Sequence, residues 1–140
     1  MRRTFGVALA AGALLLAAVP VWAHHAFAAE FDADKPIKFK GTVTKMEWIN
    51  PHAWIHIDVK GDDGKVTEWM IEAAAPNSLL RRGWTKYSLP AGTEIVVEGF
   101  QAKDASNRAN GSVITFTDGK KLFVGSAAGE PGAAPGASDK

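Results

Sequence analysis

Trp48-Ile-Asn-Pro-His-Ala-Trp-Ile-His-Ile-Asp58, continued by Val59-Lys-Gly-Asp-Asp-Gly64 and Lys65-Val-Thr-Glu-Trp-Met-Ile-Glu72, is the stretch on which the fold turns. After Pro51 the side chains alternate. Ala53, Ile55, Ile57 and Val59 fall on one face, and His52, Trp54, His56 and Asp58 fall on the other. A period of two describes a half-buried strand whose apolar face lies on a core. Asp62-Asp63-Gly64 reads as a three-residue hairpin loop in which Gly64 takes a positive φ. The resulting register sets Ile55 opposite Ile71, Ile57 opposite Trp69 and Val59 opposite Thr67 on the inner face. On the outer face it sets Trp54 opposite Glu72, His56 opposite Met70 and Asp58 opposite Glu68. A one-residue slip would set Glu68 and Glu72 against the isoleucines, which the cost of burying charge disfavours.

Upstream, Ile37 to Trp48 reads as the first strand. Ile37, Phe39 and Val43 share a face, but the apolar phase then moves to Met46 and Trp48, which points to a bulge or strong coil near Gly41. Downstream, Pro76-Asn-Ser-Leu-Leu-Arg-Arg-Gly83 reads as a short helix. Asn77 or Ser78 caps it, Leu79 and Leu80 pack inward, and Gly83 ends it with Trp84 folding back. Leu89-Pro-Ala-Gly92 is a turn, Thr93 to Lys103 a fourth strand, and 104–111 a polar loop carrying Arg108. Ser112 to Thr117 and Lys120 to Val124 flank the hairpin signal Asp118-Gly119 and act together as a split fifth strand. This order predicts an all-β protein with one short helix: a small OB-like five-stranded antiparallel barrel, its helix between strands three and four. Another small antiparallel barrel, or an open sheet with one helix, is the alternative. The barrel domain spans 37–124. An extended arm over 24–36, with Phe27 and Phe31, precedes it, and a disordered Gly/Ala/Pro tail over 125–140 follows.

Residues 1–23 read as a secretory signal peptide: Arg2-Arg3, an apolar run from Phe5 to Val19, then Pro20, then Val21 and Ala23 at −3 and −1 of a cut. The run is shorter than the roughly 18–20 apolar residues of a membrane span. The expectation is therefore a cleaved, periplasmic protein with no membrane span after cleavage. The 16 lysines and arginines balance 15 acidic residues, and loss of Arg2 and Arg3 turns the net charge to −1. Such a balance gives no footprint for nucleic acid. The chain has no cysteine, which excludes disulfides, thiolate metal sites and a cysteine nucleophile.

Four stretches, HHAFAAEFDADKP from His24, KGTVTKMEWINPHAW from Lys40, PNSLLRRGW from Pro76 and AKDASNRANG from Ala102, together resemble a family of small exported bacterial proteins of unknown function. The resemblance runs from His24 to about Phe123. That family's pattern is an Ala-His-His-Ser-Phe start and an Asn-Pro-His turn. Here Ala26 stands where the serine is usual, while Asn50-Pro51-His52 is intact. The resemblance implies a periplasmic protein and supplies no mechanism.

Cleavage after Ala23 would make His24 the first residue. Its α-amine and imidazole can chelate one ion, with His25 beside it and His52 as a third imidazole where the arm meets the turn after strand one. An all-nitrogen, thiol-free donor set suits Cu(II) best, then Ni(II) or Zn(II). A second candidate is the outer face of strands two and three, with Trp54, His56, Met70 and Glu72, which would serve a metal-independent protein-interaction or envelope module. His52 and His56 lie about 13 Å apart along a strand, too far for easy sharing of one metal. A third is basic: Arg81 and Arg82 on the helix, with Lys103 and Arg108, as anion contacts or solvated surface. Signals for catalysis are weak. No serine has a Gly-x-Ser-x-Gly setting, and no HExxH motif or phosphate-binding glycine loop occurs. The expectation is a binding protein, with a metal ion or a periplasmic protein as its partner.

Overall fold

The computed structural model describes residues 27–125. The expectations for the signal peptide, for His24 and His25, and for the tail beyond Gly125 lie outside the described residues. The described chain is mostly β: β1 (Phe31–Glu47), β2 (Trp54–Lys60), β3 (Val66–Glu72), α1 (Pro76–Arg81), β4 (Glu94–Ala102), β5 (Arg108–Phe116) and β6 (Lys121–Phe123). A single helical turn over 27–30 precedes β1. The strands run in the order β3-β2-β1-β4-β5-β6, all antiparallel, with a further parallel pairing of β3 with β5.

The β2–β3 hairpin has the expected register at every pair, from Trp54 with Glu72 to Val59 with Thr67. Gly64 takes φ 80°, and the Gly61 N–H donates to the Lys65 carbonyl at 2.8 Å to close the loop. On β1 the register against β2 shifts between Val43 and Lys45. One extra residue, Thr44, is thus accommodated just past Gly41, and the bulge moves the apolar phase to Met46 as the pattern required.

β1 begins at Phe31 rather than at Ile37, so much of the arm is sheet rather than a separate strap. Phe31 pairs with Ala102 and is buried, Pro36 pairs with Phe100, and the register is irregular between them. Burying an aromatic ring outweighs the turn-forming Asp32 and Asp34, and the irregular stretch absorbs a proline that has no N–H to give.

In α1 the N-cap is Ala75, with no side-chain cap; Asn77 and Ser78 lie inside the helix. Pro76 at the first turn supplies the pre-set φ that a cap would otherwise help to select. Leu79 is fully buried, but Leu80 is 51% exposed, against the expectation that both pack inward. Six residues offer one buried stripe, and adjacent positions on a helix do not share it. At the C-terminus Gly83 has φ 85°, its N–H donates to Leu80 O at 3.1 Å, and the Trp84 N–H donates to Leu79 O at 3.0 Å. This paired closure turns Trp84 back into the core. There it is fully buried, and its Nε1 donates to the Phe123 carbonyl at 3.0 Å. The rest of the core is aliphatic, with Val43, Ile55, Ile57, Ile71, Ile95, Val97, Ile114 and Val124.

The polar loop expected over 104–111 is shorter, because β5 already starts at Arg108 and residues 109–111 are buried. Two facing glycines explain this. Gly99 pairs with Gly111, next to a register shift in β4–β5. A Cβ at Gly99 would lie 2.1 Å from the Asn110 carbonyl oxygen, and one at Gly111 would lie 2.7 Å from Ile71 Cγ2. Only hydrogen fits at either place, so β5 can close on β4 and lie parallel beside β3.

Candidate functional site

The β-ladder aligns a row of side chains across four strands: Trp54 pairs with Glu72, Glu72 with Asn110, and Asn110 with Phe100. The row is not the solvated face the alternation suggested. Glu72 is only 8% exposed and Asn110 only 5%. Asn110 Nδ2 donates to Glu72 Oε1 at 3.2 Å. The same carboxylate oxygen lies 3.3 Å from Nδ1 of His52, which sits one turn of chain before β2 in the Asn50-Pro51-His52 corner. Buried polar groups must find partners, and here an amide and an imidazole serve one carboxylate.

The Glu72 carboxylate beside it raises the His52 imidazole above its ordinary value. Partial burial opposes that rise, and the negative charge of Glu30 adds to it. Glu30 therefore places the start of the described chain next to His52. Lys103 fastens that start: its backbone N–H donates to the Glu30 carbonyl at 2.9 Å, and its ammonium donates to the Ala28 carbonyl. Phe27 stands edge-on to Phe100 at 5.8 Å and also packs on Phe31 at 5.9 Å. The segment leading to His25 and His24 is thus docked on the last member of the row, Phe100.

His56 belongs to a different cluster. Its side chain is 14% exposed, with Nδ1 3.3 Å from Glu68 Oε1 and Nε2 3.4 Å from Glu47 Oε2. The Glu47 contact is a charge contact off the angle of a hydrogen bond, so the buried Nε2 has none. Glu47 in turn is held below the usual carboxylate range, first by Lys45 and then by His56. These diagonal contacts across β1, β2 and β3 occupy the ring as a clamp between strands. Met70, opposite His56, is half-buried and pairs on its other side with Arg108.

The basic residues are spread rather than gathered. Arg81 donates to Ser78 Oγ at 3.2 Å. Arg82 donates to the Gly125 carbonyl and stacks over the Phe123 ring at 4.8 Å, holding the end of β6 against α1. Arg108 reaches Ser106 Oγ and lies 4.0 Å from Asp104.

Of the three expected metal donors, His52 is placed, and His24 and His25 lie outside the described residues. Among the described residues no group of three or more histidine or acidic side chains could hold a metal ion by itself. Reading by alternation missed Asn110, Glu30 and Glu47. Asn110 was assigned to a polar loop, and its one available signal was the pair of glycines facing each other at 99 and 111. Among the described residues no helix is long and apolar enough to cross a membrane.

What these features define is a small, mostly β domain with a histidine braced on a buried carboxylate at one end. Residues 11–111 match the model of a family of unknown function, DUF6152, and the chain belongs to that family. No curated protein and no solved structure matches it.

Proposed function

We propose that the protein is an exported, periplasmic, OB-like five-stranded barrel that binds Cu(II) at its processed amino terminus. The donors are the His24 α-amine and imidazole, His25, and the His52 imidazole. The barrel reading is supported by the cycle of pairings β1–β2–β3–β5–β4–β1, with α1 between β3 and β4. The export reading is supported by the charged, apolar and small-residue order of 1–23.

One observation carries the metal reading. His52 is braced through Nδ1 on Glu72, and the chain that leads to the two terminal histidines is docked beside it at Glu30. The five residues from Glu30 back to His25 can span up to about 17 Å when extended, enough to bring the terminus over His52. Three nitrogen donors without a thiol select Cu(II) among the divalent ions. The Glu30 carboxylate adds negative potential where the cation would sit.

The test is calorimetric titration with Cu(II) of protein secreted and processed by its own leader, its first residue verified by mass spectrometry as His24. One ion should bind per chain, and His52→Ala should weaken it. A single residue added before His24 should abolish tight binding by removing the free amine from the chelate. Tight, near-stoichiometric binding that survives that extension would overturn the proposal.

A further inference from the structure

His52, Glu72 and Asn110 come from three separate parts of the chain and converge on one oxygen, Glu72 Oε1. We infer that Glu72, held in place by Asn110, is a positioning residue that fixes the His52 ring with its proton on Nδ1 and presents Nε2 alone to the metal. The inference rests on the metal reading above and names the atom through which His52 serves it.

A carboxylate oxygen accepts hydrogen bonds and cannot donate them. The proton in the 3.3 Å contact therefore sits on His52 Nδ1, and in the neutral ring the lone pair is left on Nε2. The same logic orients Asn110, which must turn its Nδ2 toward the carboxylate at 3.2 Å. Two donors on one buried oxygen hold the Glu72 side chain in one place, and a low dielectric stiffens such a network. Among the described residues His52 Nε2 has no protein partner.

His56 offers the contrast. Both of its ring nitrogens face carboxylates, Glu68 on one side and Glu47 on the other, so neither is presented outward. Metal-binding histidines almost always donate their second nitrogen to a carboxylate or carbonyl, and loss of that partner typically weakens metal binding by about 10–100-fold. Of the two described histidines, only His52 is arranged in that way.

The experiment uses the processed full-length protein. Long-range 15N–1H correlation NMR on the metal-free wild type, at a pH where the ring is neutral, reads the tautomer directly and needs neither copper nor a variant. The Nδ1–H form should predominate. In Glu72→Ala the ring should drift toward the Nε2–H form that free imidazole prefers, and Cu(II) affinity should fall at least about 10-fold. Glu72→Gln keeps an acceptor for Nδ1–H, so it should preserve the tautomer and lose less affinity than Glu72→Ala. A wild-type ring protonated on Nε2 overturns the inference. So does Cu(II) affinity unchanged in Glu72→Ala while His52→Ala lowers it. If His52→Ala itself leaves affinity unchanged, the metal reading fails, and the wild-type tautomer still decides the role of Glu72.

Discussion

Replacing Gly99 by alanine tests the contact that builds the site. The residue sits in β4 without a positive φ, so an alanine there meets no backbone strain, only a collision. The new Cβ would lie 2.1 Å from the carbonyl oxygen of Asn110, where 3.0 Å is the closest approach that real Cβ atoms show. β5 must therefore move by about 1 Å, and the obstacle is backbone rather than a side chain that can rotate away. Over-packing costs about 1–3 kcal/mol, and a backbone obstacle puts this case at the top of that range. Alanine returns about 0.4–1 kcal/mol by restricting the unfolded chain, which leaves a net loss of roughly 2–3 kcal/mol. For a domain of about 100 residues each kcal/mol corresponds to roughly 4–8 °C, so Tm should fall by at least about 8 °C. Urea unfolding followed by tryptophan fluorescence measures the loss directly. Gly64→Ala is the control: it has open space around its Cβ and φ 80°, and should lose only the roughly 1–2 kcal/mol of a left-handed residue. Stability of Gly99→Ala within about 0.5 kcal/mol of wild type would refute the close approach of β4 and β5.

Two further outcomes follow from residues at other points of the fold. Trp84→Ala should destabilise by about 3–5 kcal/mol because the ring is fully buried, and Trp84→Phe by less, mainly through the Phe123 carbonyl left without its donor; equal urea midpoints for wild type and Trp84→Phe would remove that hydrogen bond from the account. The folded His52 imidazole titrates above its ordinary value, so its contribution to stability is present below about pH 6.5 and is lost as pH rises through the folded value. The stability gap between wild type and His52→Gln in metal-free protein should therefore be wider at pH 6 than at pH 9, and an equal gap at both would sink the His52–Glu72 pairing.

Alternation and turn chemistry carried much of the fold. The β2–β3 register could be read because a slip would bury two glutamates, and Gly64 marked the turn. The bulge at Thr44 was visible as a phase change between Val43 and Met46. What escaped was decided by contacts between distant parts of the chain. Phe31 starts β1 early because Ala102 waits opposite it, and nothing local in a stretch holding Asp32, Asp34 and Pro36 says so. Asn110 looked like loop because its neighbours are polar, and its burial depends on the parallel pairing with Glu72. The site was half visible for the same reason. His52 stood out by residue type, whereas its brace became apparent only once β3 and β5 were side by side.

Lys103 grips the incoming segment by the main-chain oxygens of residues 28 and 30, not by their side groups. A clasp of that kind is blind to what residues 28–30 spell. Substitutions at Ala28 or Ala29, both exposed, can accumulate without loosening the tether, while a change at Lys103 has no substitute within the segment it holds. The tether thus leaves the letters upstream of the domain free to vary while keeping their starting point fixed.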